Sequence, residues 1–119
     1  RGPVLILEPD MEGFQRPLES LLKNRPDPIA LVSVSGTGDL CKAARTQRPR
    51  LVIVNAEAAG DALGAAAREI RGSSGLADVS LVAILEPPAS ARRDELSRAG
   101  FNAVLVKPIL YTDLEKLLA

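Results

Sequence analysis

The sequence predicts an α/β domain of three layers, a doubly wound (βα)5 arrangement with a five-stranded parallel sheet between helices. Five short apolar runs alternate with segments whose apolar residues recur at helical spacing. The first, third and fifth runs show little polar alternation, as strands of a parallel sheet covered on both faces do. Short connections and right-handed crossovers then place functional groups at the carboxyl ends of the strands.

The strand candidates are Val4 to Leu7, Ile29 to Val34, Leu51 to Val54, Val79 to Leu85 and Ala103 to Val106. Phe14, Leu18, Leu21 and Leu22 form the apolar stripe of a first helix. Pro17 lacks an interior donor, so this helix is expected to start near Gly13 or Phe14 with Pro17 in its first turn. The second helix is expected to take Asp39 as N-cap, bury Leu40, Ala43 and Ala44, and stop before Pro49. The third runs from about Asp61 to Arg71 and is closed by Gly72-Ser73-Ser74-Gly75. The fourth runs from Ser90 to Ala99 with Gly100 as its stop. Thr112 and Glu115 make a capping box for the fifth, whose apolar residues are Leu114, Leu117 and Leu118.

The 119 residues carry 15 Lys+Arg and 15 Asp+Glu, no His, one Cys and no Trp, and 46% of them are hydrophobic. Such a chain is one globular domain that can bury roughly two-thirds of its unfolded surface. Without His there is no Ser-His-Asp or Cys-His relay, no His-based metal site and no phosphohistidine of the domain's own. Cys41 cannot form an internal disulfide, which suits a reducing, cytoplasmic setting. Zero net charge without a basic stripe argues against nucleic acid. The longest apolar runs, about six residues, fall far short of the roughly 20 that span a bilayer, so no membrane contact is expected of this domain. Arg1 in place of Met, and a helix reaching Ala119, suggest a single domain (1–119) excised from a longer multi-domain protein.

The expected strand ends carry Glu8-Pro9-Asp10, Asn55 and Lys107-Pro108, where a switch-point site would lie. Together with Val4-Leu5-Ile6-Leu7, Arg48-Pro49-Arg50-Leu51-Val52-Ile53-Val54, Arg98-Ala99-Gly100-Phe101-Asn102-Ala103 and Val106-Lys107-Pro108-Ile109, in this order, they carry a resemblance. Over nearly its whole length the chain resembles the CheY-like receiver domain of two-component response regulators. The resemblance implies the flavodoxin-like strand order 2-1-3-4-5. It also implies an acidic pair after strand one and an Asp ending strand three that hold Mg²⁺, the Asp accepting a phosphoryl group. A Ser or Thr ending strand four, an aromatic in strand five and a Lys after strand five complete the family's switch.

Carried over residue by residue, the pattern is degenerate. Asn55 stands at the phosphoacceptor position, and an amide is neither the ionised nucleophile nor the charged oxygen ligand that the chemistry needs. Pro9 replaces one acid of the pair, Leu85 the hydroxyl residue and Val104 the aromatic; Lys107 alone keeps its identity. Glu8, Asp10 and Lys107 are expected to form a residual acidic pocket, an ion-paired cluster that offers Mg²⁺ a weak site at most. An Asx turn after a strand would account for Asn55 taken alone.

Arg92, Arg93 and Arg98 on the fourth helix, with Lys107, Pro108 and Tyr111, form the face that receivers use for partners. Arginine forks and a tyrosine ring also suit a cyclic dinucleotide such as cyclic di-GMP. The pairs Asp94 with Arg98 and Arg92 with Glu95 equally describe a solvated helix face. Ser35-Gly36-Thr37-Gly38-Asp39-Leu40-Cys41 approaches a dinucleotide fingerprint but puts Cys41 at the third glycine, so it reads as a Gly-rich turn, and Cys41 as an inert buried thiol.

The reading that follows is a non-phosphorylatable pseudo-receiver, by itself no enzyme and requiring no cofactor. It would regulate neighbouring domains of the same chain, namely a kinase core, a second receiver or an output domain, by docking. The parent would be a hybrid histidine kinase or a multi-domain response regulator. The alternatives are a cyclic di-GMP sensor, and a receiver phosphorylated at an unorthodox acid such as Asp61 or Glu57.

Overall fold

The computed structural model describes residues 2–87 and 90–118, the side chains of Ser90, Ala91 and Tyr111 excepted. The strands are β1 (Val4–Leu7), β2 (Leu31–Ser33), β3 (Leu51–Asn55), β4 (Ser80–Leu85) and β5 (Ala103–Val106). All pair in parallel, in the order β2-β1-β3-β4-β5, as the resemblance implied. Between them lie α1 (Arg16–Lys23), α2 (Thr37–Gln47), the short α3 (Ala56–Ala59), α4 (Leu63–Gly72), α5 (Ser90–Ala99) and α6 (Tyr111–Leu118). Among the described residues no helix is long and apolar enough to cross a membrane.

Side-chain alternation divides the core into two layers. Leu5, Leu7, Val52, Val54, Leu81, Ala83 and Leu85 point to one face and meet Leu40 of α2, Ile70 of α4 and Leu96 of α5. Val4, Ile6, Ile53, Val82 and Ile84 point to the other and meet Phe14, Leu18 and Leu22 beside α1 and Leu114 of α6. The chain leaves β1 and β3 toward opposite faces, which opens a crevice at their carboxyl ends.

Several element boundaries differ from expectation. A π-helical turn, Met11–Gln15, precedes α1, and Pro17 follows inside one continuous helical run. The widened turn accommodates a residue that lacks an N–H and whose ring would crowd the carbonyl four residues back. Asp39 is not the N-cap of α2; the cap is Gly36, three residues earlier, so Thr37 and Gly38 are helical. The third helix likewise starts early: Asn55 caps α3, a 3-10 turn over Gly60–Ala62 follows, and α4 closes the run. Thr112 lies within α6, whose first turn closes on the Leu110 carbonyl, so it is not a capping-box N-cap. β2 keeps three of its six expected residues because it is an edge strand paired to β1 alone.

Candidate functional site

Four strand ends meet around Glu8. Its side chain is 0% exposed and reaches back from the end of β1 to Lys107 beyond β5, with Oε1 3.1 Å from Nζ. Asn55, the last residue of β3, donates from Nδ2 to the same Glu8 oxygen at 3.0 Å. Its Oδ1 accepts from the Ala58 N–H at 3.0 Å, which fixes the amide orientation and starts α3. Both polar atoms of Asn55 are therefore committed, one to a carboxylate and one to a helix cap. Oε2 of Glu8 accepts from the Asp10 N–H at 2.9 Å, and its carbonyl accepts from Nε2 of the buried Gln15 at 2.6 Å.

Asp10 serves the turn more than the pocket. Its Oδ1 accepts from the Gly13 N–H at 2.9 Å, while Oδ2 stays 4.0 Å from Lys107. A Cβ at Gly13 would collide with this carboxylate, so the cap needs glycine there. Glu86, the first residue after β4, completes the cluster with Oε2 3.2 Å from Lys107 Nζ. Burial opposes the charge on Lys107, but hydrogen bonds to Glu8 and Glu86 and their negative charges outweigh it and hold the ammonium pKa above its ordinary value.

Of the expected cluster of Glu8, Asp10 and Lys107, the structure puts Glu8 against Lys107 with Asp10 at the edge, and adds Asn55. Glu86 and Gln15 were missed. Glu86 had a usable signal, since the residue after a strand shares the sheet end with Glu8 and Lys107; Gln15 had none. Leu85 is buried in the core and Val104 packs against it, so the two positions that could have held a hydroxyl and an aromatic are hydrophobic packing.

The arginine face is a separate surface. Arg93 and Arg98 are exposed on α5, while the half-buried Arg92 reaches Glu95 at 3.5 Å. Lys107 is drawn into the Glu8 cluster and away from that face, and Pro108 is exposed beside it after a cis peptide bond. Tyr111 opens α6, with its side chain outside the description. Glu57 and Asp61 are exposed on the α3 stretch and take no part in the Lys107 cluster. Cys41 is buried, and burial, then the charge of Glu69, push its thiol up to about 11, which suits an inert thiol.

A domain from Colwellia psychrerythraea, the signal receiver domain of a DNA-binding response regulator, superposes with a TM-score of 0.83, covering 99% of this chain and 95% of that one at 20% identity. The chain has the receiver-domain fold. The receiver domain of a sensor histidine kinase from Pseudomonas aeruginosa, with magnesium in its active site cleft, matches with a TM-score of 0.78 at 20% identity over 98% of this chain and 93% of that one. A response regulator receiver protein from Pseudomonas putida gives 0.76 at 21% identity, over 99% and 96%. No known family's sequence profile matches the chain, and no curated protein is similar to it in sequence. Shared fold at such identity arises from the same layer pattern and strand order, while site chemistry rests on the individual residues.

Proposed function

We propose that this domain is a pseudo-receiver of two-component signalling that takes no phosphoryl group and acts by docking on its neighbours. One observation carries the reading: at the end of β3 an amide, not a carboxylate, faces Glu8, and both of its polar atoms are already bonded. Phosphoryl transfer to a side chain needs an ionised oxygen free to attack, and Mg²⁺ needs oxygen ligands. Here Asn55 turns its N–H toward Oε1 of Glu8, which it shares with the Lys107 ammonium, while Oε2 accepts from the Asp10 N–H. The donor set does not fit Mg²⁺.

Without a covalent switch, regulation falls to differential binding of the domain to two arrangements of its neighbours, a kinase core, a second receiver or an output domain. The face of α5, β5 and α6, with Arg93, Arg98 and Pro108 exposed, is the docking surface of this reading. Asp94 and Glu95 alternate with Arg93 and Arg98, and this mixed-sign pattern favours a protein partner over the doubly anionic cyclic di-GMP. Incubation of the domain with acetyl phosphate and Mg²⁺, followed by intact-mass measurement, tests the central step. The wild-type domain is expected to gain no phosphoryl mass; labelling at any residue, Glu57 and Asp61 included, contradicts the proposal.

A further inference from the structure

Beside the Glu8 cluster lies a cleft of about 540 Å³, within the size range of small-molecule sites. Its walls are Phe14 and Pro17 on one side, Ile109 and Leu114 on the other, and Pro87 and Pro108 at the rim. Three of these six are prolines, whose rings have little freedom to lose, and Phe14 and Leu114 are held in the core. A cleft so lined is formed before any ligand arrives, so little ordering offsets binding.

Its charge is one-sided. Asp10, Glu86 and Lys107 line the cleft, and with Glu8 behind them three carboxylates face one ammonium, a formal excess of two negative charges. Lys107 is matched by the buried Glu8, so the excess resides on Asp10 and Glu86, which are 48% and 38% exposed. Glu86 bonds Lys107 through Oε2 alone, and among the described residues its Oε1 has no hydrogen-bond partner; Oδ2 of Asp10 lies 4.0 Å from Lys107, beyond a hydrogen bond. We infer that this cleft binds a small organic cation, a compact apolar or aromatic body against Phe14, Pro17 and Ile109 with its ammonium on Glu86 and Asp10. Anions meet two carboxylates there, and neutral bodies of the same shape forgo the charge-assisted bond. The inference goes beyond the docking function, and Glu86, on which its test turns, plays no part in the argument against phosphorylation.

The test is a backbone amide NMR titration of the domain with phenethylamine, with phenethyl alcohol and phenylacetate as probes of matched shape. Saturable shifts confined to the amides of Gly13, Phe14, Glu86, Lys107, Ile109 and Leu114 are expected with the amine. The alcohol should bind about fivefold more weakly and phenylacetate more weakly still. Glu86→Gln should bring the amine down to the level of the alcohol, while Ile109→Trp, which fills the cleft, should weaken both. Equal affinity for amine and alcohol, no effect of Glu86→Gln in a sample whose spectrum is otherwise unchanged, or shifts centred elsewhere would overturn it. So would saturation by a lysine-rich peptide without saturation by the amine, which would assign the cleft to a protein partner.

Discussion

Lys107 faces Glu8, Glu86 and Asp10 within 4.0 Å, and its removal would leave a fully buried Glu8 carboxylate with only N–H donors for company. Breaking one side of such a buried pair costs far more than the pair's net contribution. Lys107→Met should lower unfolding free energy by about 2–4 kcal/mol, whereas Glu86→Gln, at the half-exposed end, should cost under about 1 kcal/mol. Chemical denaturation at pH 7 checks both. The ammonium pKa is raised in the folded state, so its contribution is complete below the ordinary value of 10.5 and is lost as pH climbs through the folded value. The stability difference between wild type and Lys107→Met should therefore be constant near neutrality and shrink above that value; a difference that grows with pH there would contradict the assignment.

Among the elements, α4 is fastened by its own last turn. Arg71 donates to the Gly100 carbonyl from Nε at 3.1 Å and from Nη2 at 2.8 Å, to the Ala77 carbonyl at 3.0 Å, and also to the Val79 carbonyl and Asn102 Oδ1. Asn102 in turn accepts from the Leu81 N–H at 2.7 Å, so one guanidinium joins α4 to the approaches of β4 and β5. Hydrogen bonds to a charged donor contribute more than neutral ones, and the planar fork has no equivalent in lysine. Arg71→Met should cost about 2 kcal/mol in a denaturation midpoint, and Arg71→Lys should recover less than half of it. The apolar runs of β1, β3, β4 and β5 were legible because strands buried on both faces are written as continuous hydrophobic sequence. The starts of α2, α3 and α6 were not, because the caps there are Gly36, Asn55 and the Leu110 carbonyl, and backbone geometry rather than a signature side chain sets two of them. Pro17 marked an irregular helix start, but its presence alone did not distinguish a π turn ahead of it from a simple first-turn proline.

At the scale of the molecule, the parallel order β2-β1-β3-β4-β5 brings Glu8, Asn55, Glu86 and Lys107 to one end of the sheet from four different strands. The sequence made Glu8, Asn55 and Lys107 visible as strand-end residues in a recognisable order. Glu86 was open to the same strand-end argument, whereas nothing local marked Gln15, whose bond to the Glu8 carbonyl exists only once the turn is packed on the sheet. On the proposed reading the amide at position 55 is one departure among several: Pro9 and Leu85 remain, and Asp10 gives one carboxylate oxygen to its turn. The most direct measurement is intact-mass labelling of Asn55→Asp by acetyl phosphate with Mg²⁺, on a sample confirmed folded. No phosphoryl adduct is expected, since Pro9 still replaces one acid of the metal pair and Leu85 the hydroxyl residue. Efficient, stoichiometric labelling at position 55 would contradict it and would reduce the degeneracy of this site to a single residue.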